Sequence, residues 1–281
     1  MKSDPRDPFP SEILDYYNQG READRLFRGI GPLELFRTQE LIERYFPPPP
    51  AVIFDVGGGP GVYSCWLARL GYETHLIDVV PLHVEQARQA SQQQPAHPIA
   101  SIEVGDARGL DHPDACADGV LLHGPLYHLT DREDRLAAIR EAGRILRPGG
   151  VLLAVGISRY SSTHLGLVRW WLDNPAYLQM VERELTDGQH RRPDANWPGL
   201  FTTAFFHRAD ELQAELEEGG LIHQETLAVQ GPGWLVPEFE QRWNDEAQRE
   251  TLLQVIRWME REPTALGISP HMMAVARKSE S

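Results

Sequence analysis

Cysteine is almost missing from these 281 residues: only Cys65 and Cys116 occur. Their spacing builds neither a CxxC redox pair nor a metal knuckle, so a disulfide framework and a thiolate metal centre are excluded and both thiols read as reduced core residues. No metal site is expected. Long apolar runs are missing as well. A membrane span needs roughly 18 consecutive apolar residues, and nothing near that length occurs. The opening stretch, MKSDPRDPFPSEILDYY, lacks the basic cluster and apolar segment of a secretory leader. A soluble, cytoplasmic chain is therefore expected. Basic charge is also in short supply, with 27 Lys and Arg against 41 Asp and Glu for a net charge of −14. Such a field repels phosphate backbones and anionic bilayers. The richest basic cluster, His190-Arg191-Arg192 with Arg183 and His207, is too small for a nucleic-acid footprint. Neither nucleic acid nor membrane is expected as a partner.

What is present is an ordinary globular composition, 41% hydrophobic and 24% charged, in a chain best read as one domain with sizeable insertions. Strand-like and helix-like stretches alternate through the centre, the pattern of a parallel sheet covered on both faces. Strands are predicted at 51–56, 74–77, 99–104, 119–123 and 151–157. Helices are predicted at 61–70, 82–94 and 131–146, the last capped by Asp131 and stopped by Arg147-Pro148-Gly149-Gly150. The alternation then breaks. Residues 159–200, with helical periodicity from about 163 to 186, read as a lid insertion. It resumes with a helix at 209–218, a strand at 222–230 and a last strand at 271–276, with a second insertion at 231–267 carrying a helix near 246–261. Residues 1–46 form an amphipathic helical cap, set off by Pro47–Pro50 as a stiff spacer. The core is then 51–158 with 201–281.

In such sheets ligands sit at the C-terminal strand ends. After the first predicted strand comes Asp55-Val56-Gly57-Gly58-Gly59-Pro60-Gly61, where glycines remove side chains that would hold a ligand off the backbone. A dinucleotide fingerprint, GxGxxG, fails in both registers, because Val62 and Ser64 stand where its third glycine belongs. The motif present is an acid two residues before GxGxG. Asp78 ends the second strand, and a carboxylate there can accept from two vicinal ribose hydroxyls. Gly105-Asp106-Ala107 follows the third. Val120 to His128 (VLLHGPLYH) and Ile145 to Leu152 (ILRPGGVL) follow in order.

Together these segments resemble the motifs of class I S-adenosylmethionine-dependent methyltransferases, closely over about residues 50–158 and by pattern beyond. The resemblance implies a Rossmann-like, doubly wound seven-stranded sheet, mostly parallel with an antiparallel last strand, plus helical cap and lid. It implies S-adenosylmethionine as cofactor, converted to S-adenosylhomocysteine. It places Asp55, Gly57, Gly59 and Gly61 along the methionyl part, Asp78 and Val79 at the ribose, and Asp106 and Ala107 at the adenine. Cap residues would close over the site, Tyr17 near the sulfonium and Arg37 on the methionyl carboxylate. His123 and His128 lie beyond the fourth strand, where methyl and acceptor should meet. His128 is the first candidate base, His123 and His207 the next. Trp170, Trp171, Phe205, Phe206 and Trp234 are core or pocket lining. The reaction expected is in-line methyl transfer to N, O or C of a small molecule. Two rivals stand beside it: an NAD-dependent reductase, disfavoured by Val62 and Ser64, and a non-catalytic S-adenosylmethionine-binding protein.

Overall fold

The computed structural model describes residues 11–194, 197 and 200–280; residues 1–10, on which part of the leader reading falls, lie outside them. The N-terminal segment forms α1 (Ser11–Tyr17), a 3-10 helix (Arg21–Phe27) and α2 (Gly31–Tyr45). The alternating series follows as β1 (Val52–Val56), α3 (Val62–Arg69), β2 (Glu73–Asp78), α4 (Pro81–Gln92), β3 (Ser101–Val104), β4 (Ala117–His123), a short α5 (Pro125–His128), α6 (Arg132–Ile145) and β5 (Leu146–Ile157). Next come α7 (Ser161–Arg169), α8 (Pro175–Asp187), a ribbon of β6 (Gln189–His190) and β7 (Ala204–Phe205), then α9 (Ala209–Glu218) and β8 (Ile222–Ala228). A 3-10 turn (Gly231–Leu235), α10 (Phe239–Asn244), α11 (Glu246–Met259), α12 (Pro263–Leu266) and β9 (His271–Arg277) complete it.

Seven strands lie in the order β3-β2-β1-β4-β5-β9-β8, with β9 antiparallel to both neighbours. The period of two along each strand sorts its side chains between two layers. Val120, Leu122, Leu152 and Ala154 bury against α6 and α9 with Ile139 and Leu212. Leu121, Val151, Leu153 and Val155 bury on the opposite face against α2 and α3, with Leu41, Ile42 and Leu67. The apolar run VLLAV is thus explained by burial on both sides. Asp131 caps α6 by accepting from the Glu133 amide. Pairing of β5 begins already at Leu146, opposite Ala117, so the Arg147–Gly150 segment ends the helix but belongs to the strand.

One predicted element divides. The periodicity at 163–186 resolves into α7 and α8, because Trp170 takes a left-handed conformation at the end of α7 and the Asn174 side chain caps α8 from the Ala176 and Tyr177 amides. Among the described residues no helix is long and apolar enough to cross a membrane. The chain reverses its winding between β1 and β4, and the C-terminal ends of those strands and of β2 open onto one cleft.

Candidate active site

The cleft encloses about 930 Å³, mouth included, and its floor is the glycine turn. The Gly57 amide donates to Ile77 O at 2.8 Å and the Gly59 amide to Asp78 Oδ2 at 2.8 Å. The turn is thereby tied to the end of β2. Gly57, Gly59 and Gly61 all have φ between +54° and +85°, which L side chains adopt only under strain. Asp55 is fully buried and its Oδ2 accepts from Ser64 Oγ at 2.6 Å, whereas Oδ1 is buried with no partner. Burial, only partly offset by the Ser64 hydrogen bond, pushes its pKa up to about 7. Such a carboxylate, set in a cavity wall with one oxygen unmatched, is built to receive a cation or N–H donor. Asp78 Oδ1 accepts from the Val80 amide at 2.8 Å and approaches His83 Nδ1 at 3.3 Å. Held by backbone on both oxygens, it faces the cleft beside Val79.

Asp106 and Ala107 line the same cleft, but Asp106 differs from the expectation of a free acceptor. Its two oxygens are forked by Arg108, at 2.7 Å for the shortest contact, and Oδ1 also takes the Arg108 amide at 2.8 Å. The Ala107 N–H makes no hydrogen bond among the described residues and is the better-placed group for a ring nitrogen.

Three expectations are corrected. Arg37 does not reach the cleft: it is fully buried, donating to Val229 O at 3.2 Å and pairing with Glu40 and Glu260. Glu40 lies one turn on along α2 and Glu260 follows α11, so the guanidinium locks the cap to the second insertion. Arg25 lines the cleft instead, held by Glu34 through two 2.8 Å bonds and by Glu22. Gly61 caps α3 behind the turn, where a Cβ would press on Ala87 Cβ at 3.1 Å; its role is close approach of α3 and α4. His207 is buried against Glu215 at 3.2 Å and faces another surface cleft.

The remaining candidates do meet. Tyr17, His123 and His128 line the cleft together, and the Tyr17 hydroxyl lies 2.6 Å from His128 Nε2. Burial brings the His128 pKa down to about 4 and that of His123 to about 3, so both rings are neutral near neutral pH. Burial also drives the Tyr17 phenol well above its ordinary value, so its O–H donates and Nε2 accepts. Residues that spacing did not single out complete the walls, among them Ile13, Leu26, Tyr63, His83 and Tyr127. Tyr63 follows the glycine turn and Tyr127 the fourth strand, where position alone could have flagged them.

A second cavity, about 1060 Å³ with its mouth, adjoins the first and shares Tyr17, Glu22, Arg25 and Tyr127 with it. Its lining draws on cap, lid and both ends of the second insertion, including Phe201, Phe206 and Trp234. Of the other aromatics considered, Trp171 packs on Tyr177 and Trp197, Phe205 lies under the Arg135 guanidinium at 3.6 Å, and Trp170 is exposed.

A family model described as a methyltransferase domain matches residues 54–154. The methyltransferase GfsG of Streptomyces halstedii is 30% identical over 168 residues, which are 54% of this chain and 59% of that protein's length. The ubiquinone/menaquinone biosynthesis C-methyltransferase UbiE of Caulobacter vibrioides is 30% identical over 188 residues, 59% of this chain and 71% of the relative. Among solved structures, an S-adenosylmethionine-dependent methyltransferase of Methanosarcina mazei shares the fold with a TM-score of 0.60 at 19% identity, covering 86% of this chain and 98% of its own. The chain belongs to the class I S-adenosylmethionine-dependent methyltransferases. It is an enzyme of that class, with S-adenosylmethionine as its cofactor.

The residues fit that cofactor. The unmatched Asp55 oxygen suits an ammonium, the backbone-braced Asp78 suits vicinal hydroxyls, and the glycine turn leaves open space above Gly59, where a Cβ would meet no atom within 4 Å. Arg37 is expected to behave as a structural residue: Arg37→Met leaves buried Glu260 only its more exposed partners Arg44 and Arg261 and lowers stability by about 3 kcal/mol, read as a drop in Tm, while calorimetric affinity for S-adenosylhomocysteine is unchanged.

Proposed function

We propose that the cleft holds S-adenosylmethionine and that the adjoining cavity is the acceptor chamber, so that the enzyme methylates an N, O or C atom of a small molecule by in-line displacement. The shared wall of Tyr17, Glu22, Arg25 and Tyr127 carries this reading, since donor and acceptor must meet across one short gap. Bound in the cleft, S-adenosylmethionine supplies a methyl group already activated by a positive sulfonium. The chain's own part is to bind, align and exclude water. Asp55 receives the ammonium and Asp78, beside Val79, the ribose hydroxyls; Ala107 flanks the base. Arg25 lines the cleft and offers the methionyl carboxylate a cation. The faces of Tyr17 and Tyr127 favour a cationic centre at the partition, and the cap closes the top through Ile13, Tyr17 and Leu26.

We assign His128 to anchoring Tyr17 rather than to proton removal. Its Nε2 is already engaged by the Tyr17 hydroxyl, and a ring titrating near 4 is a weak base. His123, titrating near 3, is weaker still. His128→Gln is accordingly expected to slow labelled methyl transfer by less than about tenfold, with the pH–rate profile keeping its shape; loss of the acidic limb, the fall in rate at low pH, would return the base role to His128. The overall reading is tested by calorimetry with S-adenosylhomocysteine and NAD, followed by labelled methyl transfer to a metabolite mixture. Binding of the first alone together with transfer supports it. Failure of S-adenosylhomocysteine to bind, or binding of NAD in its place, overturns it.

A further inference from the structure

The acceptor chamber contains one histidine whose proton position is dictated by its neighbours. His271 opens β9, and its Nδ1 lies 2.8 Å from Gln230 Nε2. The orientation of the Gln230 amide is not free. Its Oε1 faces the His271 backbone N–H at 3.0 Å, which can only donate. Its Nε2 faces Glu34 Oε2 at 3.4 Å, and Glu34 is a carboxylate locked to Arg25, which can only accept. A backbone donor on one side and an ionised acceptor on the other leave a single way to place the amide. Gln230 therefore donates to His271 Nδ1, and the neutral ring carries its proton on Nε2. Nε2 has no hydrogen-bond partner among the described residues, and the ring lines the chamber.

Most other polar groups of the chamber are engaged elsewhere, while His164, also in the lining, keeps a buried Nδ1 without a partner among the described residues. His190 has both ring nitrogens engaged, by Glu184 and by Phe201 O at 3.0 Å. Ser161 and Ser162 donate to Pro270 O and to Glu184, and the Trp234 N–H goes to Ile268 O at 2.8 Å. Around them stand aromatic and aliphatic faces, Phe201, Phe206, Leu165, Ile157 and Ile268. His271 also sits at the partition, its ring centre 6.4 Å from that of Tyr127 and 6.2 Å from that of His123.

We infer that His271 is a specificity-determining residue: its fixed Nε2–H holds an oxygen of an aryl acceptor, orienting that ring in the apolar chamber, and it discriminates against ammonium groups, which can only donate. The inference rests on the chamber being the acceptor site. It points to a planar acceptor that carries a hydrogen-bond-accepting oxygen.

Three probes of similar size separate the possibilities: chromone, whose carbonyl only accepts; naphthalene, with no polar atom; and 1-naphthylmethylammonium, which only donates. Each is titrated by tryptophan fluorescence into protein saturated with S-adenosylhomocysteine. Chromone is expected to bind best; His271→Phe is expected to weaken it about fivefold or more without changing naphthalene, and His271→Gln, which retains an N–H near the same place, to restore it. Nitrogen-15 NMR of the unsubstituted protein is expected to show His271 protonated on Nε2 and not on Nδ1, a readout that needs no variant to fold. An Nδ1-protonated ring, equal chromone affinity in His271→Phe, or tighter binding of the ammonium probe overturns the inference. Failure of S-adenosylhomocysteine itself to bind defeats instead the underlying reading of the cleft.

Discussion

Asp55→Asn is expected to weaken S-adenosylhomocysteine binding by about a hundredfold, the order expected when a buried, charge-assisted hydrogen bond loses its charge, while the ligand-free protein melts no lower than before. The two effects separate because the carboxylate is poorly accommodated without its ligand. Its Oδ1 is buried without a partner, and burial raises its pKa to about 7. A carboxyl whose folded value exceeds its unfolded one contributes most to stability below the unfolded value, and that contribution is lost as pH rises through 7. Asparagine removes this penalty. Ligand binding has the opposite slope, since a bound ammonium favours the ionised carboxylate. Affinity should therefore climb about tenfold between about pH 6 and pH 8 and release a proton at the lower end. His123 and His128, titrating near 3 and 4, add nothing to that slope. Calorimetry in buffers of different ionisation heat measures both quantities. A flat profile in the unsubstituted protein, or full affinity in Asp55→Asn, would remove Asp55 from the ammonium site.

The glycine turn gives a second large effect, and two of its members should fail in different ways. A Cβ on Gly57 would stand 2.5 Å from Pro125 Cδ and 2.8 Å from His123 O, at a φ of +81°. The second contact is backbone and cannot swing aside. Gly57→Ala is expected to cost about 3 kcal/mol from combined strain and overpacking, read in urea unfolding. Gly59 also has a positive φ, +54°, but nothing lies within 4 Å of its Cβ position. Gly59→Ala should cost stability only about 1 kcal/mol, yet its methyl projects into the open space proposed for the ligand, so the loss is expected in S-adenosylhomocysteine affinity. Equal stability losses in the two variants would contradict this account of the turn.

These residues are legible in the sequence because their meaning is local. Asp55, the glycines and Asp78 sit at strand ends, and a strand end in a parallel sheet has a known direction and a known neighbour. The sheet itself is legible for the same reason, through apolar runs such as VLLAV at the positions buried on both faces. Helical spacing in the cap offers no such guide. Arg25 and Arg37 both stand among acids, and only the packing of α2 on the second insertion sends Arg37 to Glu260 and leaves Arg25 at the cleft. Asp106 reads as a free acceptor because nothing in its spacing reveals that Arg108, two residues on, folds back over it. The chamber is the least legible part. Tyr16, Phe206, Trp234 and His271 come from four separate segments, and the fold alone brings them within one cavity.

The wall between the two cavities is made by side chains that belong to both. Tyr17, Glu22 and Arg25, all from the cap, and Tyr127 beside them, cannot be ordered for one compartment and left loose for the other. On the proposed assignment of the two cavities, donor and acceptor are therefore thermodynamically linked. Whatever factor by which the cofactor tightens the acceptor's hold, the acceptor must return to the cofactor, and seating the cap is a single event that serves both. On the same assignment the consequence is kinetic as well: a cap that closes over both partners must lift before the demethylated cofactor leaves, and product release is then a natural limit on turnover.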